Sequence, residues 1–152
     1  MAYTTAEGRE RILADLAGAV ELVAGALASL EAAYERLDEQ HADELEERLF
    51  RPVQGAYGRA QRTHAEFAAR SGLAGRTFAP APAPSPAHPV RELVDGAADA
   101  ARAADDAIAT LQDSMLPVEV GDPQLRAELS EVRELLSPVP ARARELMRTV
   151  GR

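Results

Sequence analysis

The stretch from Leu13 to His41, LADLAGAVELVAGALASLEAAYERLDEQH, decides the fold class. Its larger apolar residues recur in alternating steps of three and four, which places them on one face of a helix in heptad register. The positions between them are mostly Ala and Gly, so neighbouring helices can approach from more than one side. The residues of this seam are Leu13, Leu16, Val20, Val23, Leu27, Leu30, Tyr34, Leu37 and His41. We therefore predict an all-α helical bundle with this helix between two or more partners.

The composition supports this fold class and excludes several functions. Of 152 residues, 32 are Ala and 17 are Leu, whereas aromatic residues make up only 4%. The absence of Cys excludes disulfides, a thiolate nucleophile and Cys-ligated metal sites. A net charge of −8 disfavours a nucleic-acid partner. All 17 basic residues are Arg, as is typical of high-GC bacteria. We expect a cytoplasmic protein with no membrane partner, because the stretch from Leu16 to Leu30 is mild in hydropathy and no targeting segment is visible.

The seam continues beyond His41 without losing phase. From Leu13 to Ser71 there are 58 residues and 16 steps, about 3.6 residues per step, which is the helical repeat. Pro52 lies inside this run, where proline deletes a backbone hydrogen bond and bends a helix. We predict a long N-terminal helix over residues 5–71 that is kinked at Pro52. The alternative is a helical hairpin that reverses there, although neither a stop signal nor an N-cap precedes Pro52.

The remaining chain divides into a linker and two more helices. Residues 72–89 form an Ala/Pro-rich linker, and Gly72 suits a left-handed helix end. Residues 90–150 carry two further apolar stripes joined by a short turn, which predicts an antiparallel helical hairpin. Asp122 followed by Pro123 is typical of a helix start. We expect residues 1–152 to form a single all-α domain.

The mismatch in helix length predicts self-association. A helix of about 65 residues spans roughly 100 Å, whereas helices of about 27 residues cover roughly 40 Å. The hairpin of one chain would therefore leave the second half of the long stripe exposed. We predict a homodimer whose interface includes Leu45, Leu49, Val53, Tyr57 and Phe67.

Two histidines on the seam suggest a metal site. Asp38 precedes His41 by three residues, so both side chains project from one helical face. This pair resembles half of a ferritin-like di-iron site, which combines two Glu-x-x-His pairs with single Glu residues from other helices. The second pair departs from that pattern, because Gln61 stands where a carboxylate is needed before His64. The resemblance implies a transition metal ion as cofactor.

The metal hypothesis depends on the direction of the chain at Pro52. In the hairpin, His41 and His64 would lie at one level on facing helices and could bind a transition metal with Asp38 or Glu44. In a continuous helix, 23 residues separate the two imidazoles, about 34 Å, and they cannot share an ion within one chain. The alternative is that both histidines are half-buried and hydrogen-bonded for structural reasons.

The region from Glu31 to Phe50 is strongly acidic. It contains eight acidic residues and two arginines, which accounts for −6 of the net charge of −8. Such a region can dock a basic partner, or it can be an ordinary solvated helix face. The cationic residues that follow, Arg59, Arg62, Arg70 and Arg76, could pair with the acidic region of another copy.

No motif in the sequence indicates catalysis. The serines form no Gly-x-Ser-x-Gly elbow, and a P-loop is impossible without Lys. We therefore predict a non-catalytic interaction or scaffold protein that acts through self-association and partner-helix surfaces. The alternatives are the metal-binding, ferritin-like bundle and a small-ligand sensor with an apolar cavity near Leu27, Ala101 and Ile108.

Overall fold

The computed structural model describes residues 4–150 and confirms the all-α bundle. One long helix, α1, is followed by a second long helical rod that consists of α2, a π-helical segment and α3. A linker then leads to α4, a short α5, and the consecutive helices α6 and α7. Their bounds are α1 Thr5–Tyr34, α2 Glu39–Leu45, the π segment Glu46–Phe50, α3 Arg51–Ser71, α4 Val90–Asp113, α5 Leu116–Glu119, α6 Pro123–Leu136 and α7 Val139–Val150.

Side-chain pairs fix the directions of the packed helices. Asp122, at the start of α6, pairs with Arg70 at the end of α3. Glu131, in the middle of α6, pairs with Arg59 in the middle of α3. Arg133 of α6 pairs with Asp105 of α4, and Arg91 at the start of α4 donates to a carbonyl near the end of α7. The α6–α7 rod is therefore antiparallel to both α3 and α4. Since α1 packs against both α3 and α4, the four rods enclose one core, and the linker is the single long crossover.

The chain reverses at residues 35–38 and not at Pro52. The backbone N–H groups of Arg36 and Leu37 donate to the carbonyls of Ala33 and Tyr34, at 3.1 and 3.4 Å, which closes a tight turn. α3 then packs back against α1. Both predicted arrangements of residues 5–71 are therefore wrong about where the first helix ends. No single kinked helix covers this range, and the hairpin turns at residues 35–38 and not at Pro52.

Pro52 lies inside a continuous rod because the preceding turn is π-helical. Within that turn, the N–H of Arg51 donates to the carbonyl of Glu46, five residues back. Pro52 has no N–H, so it leaves the carbonyl of Arg48 without its helical donor. A side chain from another helix supplies a donor in its place: Arg142 Nη1 of α7 donates to the Arg48 carbonyl oxygen at 3.2 Å. The proline is accommodated by one wider turn and one tertiary hydrogen bond.

The apolar stripe of the second rod is buried within one chain. Leu45, Leu49 and Val53 are fully buried, Phe67 is 2% exposed, and Tyr57 is half-buried against the same core. These residues were predicted to form an intermolecular interface, because a straight rod would have carried them beyond the C-terminal helices. The reversal at residues 35–38 brings α1, α6 and α7 over them instead. The exposed stripe on which the homodimer prediction depended is therefore absent from residues 4–150.

α1 is the one helix within residues 4–150 that is long and apolar enough to cross a membrane. Its most apolar 18-residue window has a mean hydropathy of 1.7, higher than the sequence analysis of Leu16–Leu30 suggested. Half of that window is buried in the bundle. The core helix of a globular domain can have the same length and hydropathy as a helix that crosses a membrane, and these two properties do not distinguish them.

Candidate functional site

The Asp38–His41 pair forms the start of a helix. Asp38 occupies the N-cap position of α2 with an extended backbone, φ −66° and ψ 162°. Its carboxylate accepts a 2.5 Å hydrogen bond from His41 Nδ1. This hydrogen bond is the main reason that the pKa of the Asp38 carboxyl is lowered. The spacing that resembled half of a metal site is also the spacing between an N-cap residue and the third residue of a helix.

The structure does not bring the four predicted metal ligands together. His41 and His64 lie on one continuous rod, 23 residues apart, which corresponds to about 34 Å. Glu44 lies near His41, on the other side of the π segment from His64. No group of three or more His, Asp or Glu side chains suited to a metal is present among residues 4–150. Of these residues, the buried polar side chains are those of Thr63 and His64, so the described core lacks the carboxylates that a ferritin-like site requires.

The acidic region forms one end of the bundle. It comprises the last turn of α1, the reversal at residues 35–38, α2 and the π segment. Within residues 4–150, one of the eight carboxylates has an ion-pair partner, namely Asp38 with His41. The other seven face no cation within 4.0 Å in that part of the chain; they are Glu31, Glu35, Glu39, Asp43, Glu44, Glu46 and Glu47.

Of the fourteen arginines that lie outside the acidic region among residues 4–150, six pair with a carboxylate of the same chain. Three of the four arginines that were predicted to meet the acidic region of another copy are already paired. Arg70 binds both carboxylate oxygens of Asp122, at 2.8 and 3.1 Å, and this contact lowers the pKa of the Asp122 carboxyl. The other arginine–carboxylate pairs outside the acidic region, among residues 4–150, are Arg11–Asp15, Arg59–Glu131, Arg76–Glu21, Arg102–Asp99 and Arg133–Asp105. Within the region, Arg48 pairs with Glu145. Because residues 31–50 account for −6 of the net charge of −8, the net negative charge is concentrated at this end of the bundle.

A cleft opens within this acidic end, between the last turn of α1 and the π segment. Its volume is about 250 Å³. Two aromatic side chains line it: Tyr34, which is 40% exposed, and Phe50, which is half-buried. Three carboxylates from the unpaired set, those of Glu31, Glu35 and Glu46, surround them. The cleft thus combines apolar aromatic surface with several uncompensated negative charges.

The linker, residues 72–89, makes a second set of cavities where it crosses α1. It contains neither helix nor strand before a turn at residues 86–88. One cavity of about 300 Å³ lies beside His64 and another of about 490 Å³ beside Pro84. The cavity predicted near Leu27, Ala101 and Ile108 does not coincide with them, because Ala101 and Ile108 are buried in the core and Leu27 packs against it.

Comparisons with protein-family models, curated proteins and solved structures found no match to this chain. The functional assignment therefore depends on the residues themselves. The sequence indicated the acidic region but not the cleft. Tyr34 and Phe50 are 16 residues apart in the sequence, and they line one cleft because the chain reverses between them.

Proposed function

We propose that the protein is a non-catalytic interaction module that binds a basic segment of a protein partner at its acidic end. The observation that carries this proposal is the Tyr34–Phe50 cleft with its three surrounding carboxylates. An aromatic face attracts an Arg or Lys side chain through cation–π contact, and a nearby carboxylate supplies the counter-charge. A cleft of this composition suits a cationic side chain better than it suits an anionic or apolar ligand.

The charge distribution supports a protein partner over a single small cation. Seven unpaired carboxylates extend along α1, α2 and the π segment, which is a surface longer than one side chain. A negative surface of this kind increases the association rate of basic partners and weakens as salt is added. In this proposal, the cleft anchors one cationic side chain while the surrounding acids contact its neighbours.

Fluorescence anisotropy with a labelled peptide of alternating Arg and Ala tests the proposal. We expect saturable binding that falls steeply with ionic strength and is absent for a peptide of alternating Glu and Ala. Tyr34→Ala should weaken binding by about 0.5–2 kcal/mol, the range of a cation–π contact, or roughly 2- to 30-fold. Glu46→Gln should weaken it as well, because Glu46 is half-buried in the cleft.

Matched controls separate the cleft from general electrostatics. Glu134→Gln removes an exposed acid on α6 that has no ion-pair partner among residues 4–150. Leu22→Ala removes an apolar side chain that is 37% exposed on α1. Both should bind the peptide as the unmodified protein does. Equal losses for Glu134→Gln and Glu46→Gln, or no saturable binding at low salt, would overturn the proposal.

A further inference from the structure

The linker over residues 72–89 lies on α1 as a strap, and in its first half the side chains of Arg76 and Phe78 contact the helices beneath it. Arg76 pairs with Glu21 of α1 at 2.8 Å and lies over the Phe78 ring, 4.5 Å from its centroid. Phe78 meets the His64 ring edge to face, with centroids 5.2 Å apart and planes at 89°. The strap begins at the end of α3, where the N–H of Leu73 donates to the Ala68 carbonyl at 2.9 Å, and Phe78 then contacts α3 again through the His64 ring.

The strap is loosely packed against the helix beneath it. Cavities of about 300, 320 and 490 Å³ follow its path along α1. Small side chains, including Ala17, Ala24 and Ala28, line them on the α1 side. Among the elements around His64, the strap is therefore the one that can move with the least loss of contact.

His64 is a buried titratable group with an unfilled hydrogen-bonding position. Its side chain is 3% exposed, and its Nδ1 atom has no hydrogen-bond partner. A neutral imidazole tolerates this position, whereas an imidazolium would carry a buried charge and an unpaired N–H. Protonation therefore favours any movement that brings water to the ring.

We propose that His64 is an acid-sensitive latch: its protonation detaches Phe78 and releases the strap from α1. Release removes Leu73, Ala74 and Arg76 from one side of the adjacent cavity, so water can reach the imidazolium. It also uncovers Val20 and Ala24, which lie beneath the Arg76–Pro82 part of the strap. The latch acts at the start of α1, whereas the cleft proposed for a basic partner lies at the other end of that helix.

The charged groups around His64 favour release on balance. Burial lowers the pKa of His64, and the Arg76 charge on the strap lowers it further. The Leu13 carbonyl on α1 acts in the opposite direction, and Glu10 of α1 also lines the cavity. On α3 itself, the neighbours one turn away, residues 60, 61, 67 and 68, are uncharged. Strap release separates the imidazolium from Arg76 and leaves Glu10 in place to face it.

Nuclear magnetic resonance across an acid titration tests the latch. The imidazole signals of His41, His64 and His88 report protonation, and the amides of Gly75 and Thr77 report the strap. We expect His64 to titrate below the ordinary histidine pKa of about 6.5, with the strap amides losing their folded positions at the same midpoint. His64→Phe keeps an aromatic edge contact but cannot be protonated, so its strap should stay docked throughout. His88→Gln should leave the transition unchanged.

A second variant keeps the test independent of whether His64→Phe folds. Phe78→Leu weakens the latch without changing the histidine, so both midpoints should rise together towards the ordinary pKa. Strap amides that stay in place while His64 becomes protonated would contradict the proposal. So would a strap transition that persists at the same pH in His64→Phe, or midpoints of His64 and the strap that separate in Phe78→Leu.

Discussion

Leu49→Ala distinguishes burial within one chain from burial between chains. Leu49 lies in the π segment and is fully buried in a single copy. Removing a buried leucine side chain loses its transfer free energy and leaves a cavity, which costs about 2–5 kcal/mol. We expect a loss of about 3 kcal/mol, because residues from two rods surround the position and restrict collapse. For a chain of this size, the midpoint of thermal unfolding should fall by roughly 10 °C.

Urea unfolding at two protein concentrations measures this effect. The matched control is Leu22→Ala, which makes the same change at a side chain that is 37% exposed and should cost less than about 1 kcal/mol. Because the burial is intramolecular, the midpoint of either variant should not depend on protein concentration. A loss of less than about 1 kcal/mol for Leu49→Ala would refute the described packing. A midpoint that rises with concentration would restore the predicted intermolecular interface.

Three further substitutions test local features of the fold by the same unfolding assay. Gly121→Ala should destabilise the protein by about 1–3 kcal/mol, because its Cβ would lie 2.4 Å from the backbone oxygen of Pro117; an unchanged midpoint would contradict that approach. Gly96→Ala, whose Cβ would meet nothing within 4 Å, should stabilise α4 by up to about 1 kcal/mol, and a loss would show that the site is crowded. Asp122→Ala should cost about 1–2 kcal/mol. Because the Arg70 contact lowers the pKa of Asp122, the stability that Asp122 contributes is complete above about pH 4 and is lost as the pH falls further. A stability difference between Asp122→Ala and the unmodified protein that stays the same at acidic pH would contradict this.

The helices and their ends were predictable where local chemistry alone determines them. Gly72 ends α3 in the left-handed conformation, with φ 68°, as its position after the stripe predicted. Asp122 caps α6 by accepting a hydrogen bond from the N–H of Leu125 at 2.7 Å, with Pro123 as the first helical residue. Both features depend on a few neighbouring residues, so the sequence alone identifies them.

The reversal at residues 35–38 was not predictable from periodicity. Tyr34, Leu37 and His41 continue the steps of three and four across the break, because Leu37 still packs against the core in the turn. Neither Gly nor Pro marks the turn. The available signal was Asp38, a favoured N-cap residue, whose relation to His41 we interpreted as a metal-ligand pair.

The accommodation of Pro52 depends on tertiary contacts. The proline was expected to kink or end the helix, since its position removes a donor for the Arg48 carbonyl. Arg142, 94 residues away in the sequence, supplies that donor instead. The same dependence applies to the Tyr34–Phe50 cleft, which exists only after the second rod has folded back.

Mapping a bound peptide onto the protein tests whether the acidic end is the docking surface. Titrating the alternating Arg and Ala peptide into isotope-labelled protein reports every amide that senses binding. We predict shifts that are confined to the acidic end, over residues 31–50, with the largest changes beside Tyr34 and Phe50. Shifts centred on α6 or α7, or a spectrum that the peptide leaves unchanged at low salt, would contradict an acidic, aromatic docking end.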